Sequence, residues 1–251
     1  MKIDVITIFP EMFEPPMSTS IIGLAREKGL LEFAAHDLRQ WTHDRHRTTD
    51  DEPYGGGPGM VMKPEPVFEA VESVCGSARE TSTVVFFTPA GERLTQGLLR
   101  ELSTREHLVF VCGRYEGFDE RVYALADLEL SIGDYVLTGG ELPAMVVADG
   151  VARLLPGVLG DDGSSVEESF SEGLLEYPQY TRPAVFRDME VPAVLRSGDH
   201  GAIERWRREQ SILKTCRVRP DLLVEADLSE DERLLAHHTT GASDAPEEGP
   251  R

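Results

Sequence analysis

Glycines set where apolar segments end are the residues of this 251-residue chain best placed to do chemistry. They fall in two runs, residues 112–122 (CGRYEGFDERV) and 131–144 (SIGDYVLTGGELPA). A glycine at a strand's exit lets the backbone turn sharply, or lets a flat ligand lie against bare peptide groups. Two such exits close together predict a pocket built largely from main-chain atoms. Neither run is the GxGxxG dinucleotide fingerprint, and neither is a GxxxxGK[ST] phosphate loop. A third run, residues 42–60 (THDRHRTTDDEPYGGGPGM), carries GGGPG, whose amides can cradle a phosphate. His43 and His46 stand at i, i+3 there, but no third ligand has metal-site spacing, so no metal ligand is assigned.

The elements that must hold these loops alternate along the chain. Apolar runs at 3–8, 84–87, 107–111 and 128–132 predict strands, and 66–74, 95–103 and 119–126 predict helices. That alternation predicts an α/β fold with a mostly parallel sheet. Residues 141–154 predict a buried helix with an apolar face. Residues 157–172 are rich in Gly, Ser and acid and predict a flexible linker, which ends a first domain at 156. A small all-helical domain is expected over 173–240. Its helix around 203–216 has an arginine-rich face, and its last helix starts at a Ser229/Glu232 capping box. Residues 241–251 predict a disordered tail.

Composition narrows the class. No apolar run approaches the ~20 residues of a membrane span, so no membrane partner is expected. Three scattered cysteines give no disulfide framework and predict a reduced, cytoplasmic setting. The net charge of −20 counts against nonspecific nucleic-acid binding. Its distribution does not: residues 182–219 hold nine Lys/Arg against five Asp/Glu, a local net of +4.

The two glycine runs, with RLLPGVLG, EYPQYTRP and the 42–60 segment, carry a resemblance in the order of the chain. They are similar to the bacterial tRNA (guanine-N1)-methyltransferases of the TrmD type, in the SPOUT class. The resemblance extends from ITIFPEMF to about residue 235. It implies a deep trefoil knot, and S-adenosylmethionine held by three loops, 88–91, 113–117 and 131–140. The residues it assigns to that cofactor are Thr88 and Pro89, then Gly113, Tyr115, Glu116 and Gly117. From the last loop it assigns Ile132, Gly133, Asp134, Tyr135, Val136, Leu137, Gly139 and Gly140, with Pro143 beyond. Backbone groups of Ile132, Gly133, Tyr135 and Leu137 would read the adenine.

The reaction it implies is methyl transfer to guanine N1, next to the anticodon on its 3′ side. N1 carries a proton at neutral pH, so a general base is needed, and burial can raise a carboxylate from about 4 toward that task. The family places an aspartate in the linker. The matching residue here is Glu168, one methylene longer, and a shifted register would hand the role to Glu167. Arg153 matches an arginine near the target base, where a guanidinium would stabilise charge on guanine O6. Glu116 would face the cofactor's cationic end or help bind Mg²⁺. Substrate contacts are expected at Arg47, Asp50, Ser169 and Arg182, and on the basic helix at Arg205, Arg207 and Arg208. The resemblance also implies a homodimer with its active site at the interface, and the tRNA anticodon arm as partner. A noncatalytic RNA-binding protein is the alternative that the glutamate leaves open.

Overall fold

The computed structural model describes residues 1–159, 169–170, 173–224 and 226–241. The chain divides into two compact units, Met1–Asp162 and Gly163–Arg251. The division falls inside the segment the sequence marks as a linker.

The first unit opens with β1 (Lys2–Thr7), followed by the short helices α1 (Glu14–Ser18) and α2 (Ser20–Glu27). Then come β2 (Glu32–Asp37), the small antiparallel pair β3 (Asp50–Asp51) and β4 (Val61–Met62), and α3 (Pro64–Cys75). β5 (Ser82–Arg93), α4 (Gln96–Ser103), β6 (His107–Val111), β7 (Leu128–Ser131) and α5 (Glu141–Ala152) complete it. Five strands form one sheet in the order β2-β1-β6-β5-β7, every neighbouring pair parallel. The α/β reading with a mostly parallel sheet therefore holds.

Alternation along the strands makes two cores. Val85, Phe87, Leu108 and Phe110 pack toward α2, α4 and α5. Val84, Phe86, Val109 and Val111 pack toward α3. A parallel sheet covered on both faces needs apolar residues at every position, which is why these strands read as unbroken hydrophobic runs.

Some elements differ from the sequence expectation. Residues 119–126 form a 3₁₀ turn, Glu120–Leu125, not an α-helix. Asp119 caps it by accepting from the Arg121 amide at 3.0 Å, and Asp127 is tied to the Val84 amide at 2.8 Å, leaving no room for further turns. β5 runs past 84–87 and makes a detour at 88–91: Phe87 and Glu92 both pair with Leu130. α5 buries Val147, Ala148 and Val151 but leaves Leu142 and Val146 about half exposed.

Beside β1 lies a buried polar cluster. Asp4, 1% exposed, receives Lys2 Nζ at 2.6 Å, His36 Nε2 at 2.7 Å and His107 Nε2 at 2.8 Å. His107 Nδ1 is 2.7 Å from Ser82 Oγ. Burial alone would raise the Asp4 carboxyl, but the hydrogen bonds from His36, Lys2 and His107 outweigh it and hold it at about 2.

The second unit corrects the all-helical expectation. Before its helices it carries an antiparallel hairpin, β8 (Val185–Phe186) and β9 (Met189–Glu190). Pro178, Pro183 and Pro192 lack amide donors, and Arg187 and Asp188 turn the chain with φ of 50° and 62°. α6 (His200–Val218) follows, capped by Asp199 accepting from the Ala202 amide at 3.0 Å. α7 (Glu230–Gly241) begins with the expected capping box: Ser229 N donates to Glu232 at 2.8 Å and Glu232 N donates to Ser229 Oγ at 3.3 Å. Leu174, Ile212, Cys216, Leu228 and Ala236 make the small core between them. All three cysteines are free and buried.

Candidate active site

Parallel strands β5, β6 and β7 end at the same edge of the sheet, where open α/β folds commonly place their ligands. The loops leaving that edge enclose about 860 Å³ of atom-free space, part of it open to solvent. Every residue expected in the cofactor set lines this cavity except Asp134. Phe87, Phe118, Tyr123 and Leu130, outside the three expected loops, line it too, and Arg114 and Thr138 join from within those loops. Phe118 and Tyr123 pack with Phe86 as a largely edge-to-face aromatic cluster, with ring centroids 5.2–6.1 Å apart.

Close backbone approach joins two of the loops. Gly140 N donates to Gly113 O at 2.9 Å, and a Cβ on Gly140 would lie 2.8 Å from Cys112 Cα. Behind that contact Glu141, 1% exposed, lies 3.0 Å from Arg114 Nη2 and accepts from Thr7 Oγ1 at 2.7 Å. The Arg114 guanidinium also stacks 4.6 Å from the Phe9 ring centre. Sequence reasoning missed this pair. Its two members lie 27 positions apart (141 − 114), and nothing local links them. Burial, and secondarily the charge of Glu141, push the neighbouring Cys112 thiol well up, so it stays protonated.

The 42–60 segment joins the same rim. Glu116 N donates to Met60 O at 3.0 Å and Met62 N to Gly117 O at 2.9 Å. Gly59, at φ +85°, covers the Glu116 side chain so closely that a Cβ would lie 2.6 Å from its Cγ. Arg47 is exposed and Asp50 is half-buried on β3 opposite Met62; neither lines the cavity. His43 bonds Glu69 at 2.8 Å. Among the described residues no group of three His, Cys, Asp or Glu is set to hold a metal.

This cavity of strand-end glycine loops meets its match in known sequences. The family described as tRNA (Guanine-1)-methyltransferase TrmD matches residues 1–225. The chain belongs to that family. Curated relatives named tRNA (guanine-N(1)-)-methyltransferase are correspondingly near. One from Heliobacterium modesticaldum is 58% identical over 94% of this chain and 89% of its own length. Those from Dictyoglomus turgidum and Bacillus subtilis are 54% and 52% identical, over 94% and 93% of this chain and 95% and 96% of theirs.

Of the other TrmD-type candidates in the first unit, Arg153 does not line the cavity. Arg153 follows the last turn of α5, ten residues beyond Pro143, which is about 15 Å along a helix axis. Glu167 and Glu168 lie outside the described residues. In the second unit, Ser169 Oγ accepts from Glu176 N at 3.0 Å, and Arg182 is exposed. Arg205 is exposed, and Arg207 stacks 4.7 Å from the Tyr177 ring centre. Arg208 is engaged internally: it donates to Glu232 at 2.8 Å and to Asp227 O at 2.7 Å, tying α6 to the start of α7.

Proposed function

We propose that this chain transfers a methyl group from S-adenosylmethionine to N1 of the tRNA guanosine immediately 3′ of the anticodon. The observation that carries the reading is the family match over residues 1–225, together with a cavity lined by backbone-rich loops. The residues present fit the methyl donor. Gly113, Gly139 and Gly140 leave main-chain atoms bare, Ile132 and Leu137 give an apolar wall, and Glu116 offers a carboxylate at the rim. When bound, S-adenosylmethionine supplies an electrophilic methyl on a sulfonium. Backbone groups of Ile132, Gly133, Tyr135 and Leu137 would hold its base, and Glu116 would face its positive charge. The close contact of residue 140 with residue 113 is compatible with the trefoil knot of this class, which the family resemblance implies.

Glu168 takes the N1 proton in this reading, or Glu167 if the register is shifted by one. Arg153 steadies the charge that moves to O6 as the proton leaves. Arg153 is at the end of α5 remote from Pro143, so its reach to a cavity favours one belonging to a second copy. The exposed Leu142 and Val146 on α5 support such a homodimer. Residues 1–156 form the cofactor domain, 157–172 the linker and 173–240 the domain that grips the anticodon arm. In this reading Arg47, Asp50, Ser169, Arg182, Arg205, Arg207 and Arg208 contact the tRNA, and Glu116, where it does not face the cofactor, would help bind Mg²⁺. No helix among the described residues is long and apolar enough to cross a membrane, and a tRNA substrate supports a cytoplasmic setting.

Labelled methyl transfer to unmodified tRNA transcripts, with and without guanosine at the target position, tests the reading. Glu168→Gln should lower the single-turnover rate ~10²-fold or more, with tRNA affinity unchanged. Transfer that ignores the target guanosine would refute the site of modification, and full activity in both Glu167→Gln and Glu168→Gln would refute the base.

A further inference from the structure

The segment from Leu175 to Glu190 carries aromatic side chains to which the functional reading gives no role; Arg182 is its one residue assigned there to the tRNA. Leu175 N donates to Thr215 Oγ1 at 2.9 Å and Lys214 Nζ donates to Glu176 O at 2.8 Å, which fixes the start of this segment on α6. From there the chain runs along the helix. Tyr177 lies under the Arg207 guanidinium, and Tyr180 packs with Trp206 at 6.3 Å between ring centres. Residues 181–190 are exposed throughout, so the hairpin projects from its unit. Phe186 and Met189 are cross-strand partners, which puts both side chains on one face of the hairpin. They are 56% and 64% exposed, and Arg187 stacks 5.3 Å from the Phe186 ring centre.

Charge says what covers this face. Arg182, Arg187, Arg205 and Arg207 take part in no ion pair among the described residues, although the whole chain is strongly acidic. The Arg207 Nε is buried without a hydrogen-bond partner. Unneutralised guanidinium groups interleaved with open aromatic faces suit one kind of ligand: unpaired bases on a phosphate backbone. An acidic peptide would satisfy the cations but leave the flat rings uncovered. A purely apolar partner would strand the guanidinium groups.

We infer that the strip from Tyr177 to Met189, with Arg207 of α6, is a stacking platform for the unpaired bases of an RNA loop. Phe186 and Tyr180 each take a base face, and the arginines hold the adjoining phosphates. This rests on the tRNA-modifying reading and adds a contact mode that is stacking as well as electrostatic.

The test uses the full chain with two RNA probes: an unmodified tRNA transcript, and one whose anticodon loop is replaced by a continuous paired helix. Phe186→Ala and Tyr180→Ala should each weaken binding of the first roughly tenfold, with no change in the slope against salt. Phe186→Trp should retain affinity, whereas Phe186→Leu, apolar but without a π face, should not. The paired transcript should bind wild type and variants alike. Unchanged tRNA affinity in both alanine variants overturns the platform while leaving methyl transfer standing. So does equal weakening toward both probes, or a fall in oligomeric state by sedimentation, which would make the hairpin a contact between copies. A wild-type chain that binds neither probe overturns the tRNA reading along with it.

Discussion

Glu141 shows how a single buried charge can govern a site made of backbone. Its carboxylate reaches Arg114 of one loop and Thr7 of β1 while heading α5, whose positive dipole end favours it. Glu141→Ala removes one partner and leaves the Arg114 guanidinium, 18% exposed, without its counter-charge. Breaking a buried pair this way should cost about 3 kcal/mol, read as a lowered urea midpoint, and S-adenosylmethionine binding by calorimetry should weaken with it. Glu141→Gln keeps the Thr7 contact and should lose less. Asp4 makes a second residue-scale prediction. Its folded value of about 2 lies below the ordinary 3.8, so its stabilisation is complete above pH ~4 and is lost as pH falls through about 2. The Asp4→Asn variant should be less stable at neutral pH by on the order of 2 kcal/mol. The gap between wild-type and variant unfolding curves should close between pH 4 and 2. A constant gap would show that the cluster acts by packing alone.

Elements were legible in the sequence where local pattern decides them. The continuous apolar runs within β5 and β6 announce a doubly covered sheet, and Ser229 with Glu232 announces the start of α7. Ser229→Ala should therefore cost about 1 kcal/mol of stability in the second unit, measured by thermal unfolding. The hairpin at 185–190 was not legible, because its turn uses Arg187 and Asp188 at positive φ where glycine or asparagine would have signalled it. The glycines of 131–144 marked the cavity but not their separate duties. Gly140 is needed for contact with Cys112, so Gly140→Ala should destabilise the fold itself and lower the melting temperature. Pro89 is exposed at the cavity wall. Pro89→Trp should instead leave melting unchanged and weaken S-adenosylmethionine binding at least ~10-fold, 1.4 kcal/mol by calorimetry.

At the scale of the molecule, a chain of net charge −20 must bind a polyanion through local cations. The logarithm of tRNA affinity should fall with the logarithm of salt at a slope of about −2 to −4, as expected for three or four neutralised phosphates. A flat salt dependence would argue that the arginines of the second unit never meet phosphate. The tertiary pairings, Arg114 with Glu141 and Lys214 with Glu176, stayed invisible to sequence reasoning because no period or motif links residues so far apart. One further property follows from β5. The strand leaves its partner at Phe87 and rejoins it at Glu92 opposite the same residue, Leu130. The four intervening residues thus form a cassette whose length is decoupled from the register of the sheet. Insertions or replacements between positions 88 and 90 would reshape the cavity mouth without shifting any side chain of β5 or β7 to the wrong face, whereas Gly91 must stay, because a Cβ there would run into the Glu129–Leu130 backbone of β7. Evolution, or a protein engineer, has there a place to retune ligand selectivity while the scaffold stays the same.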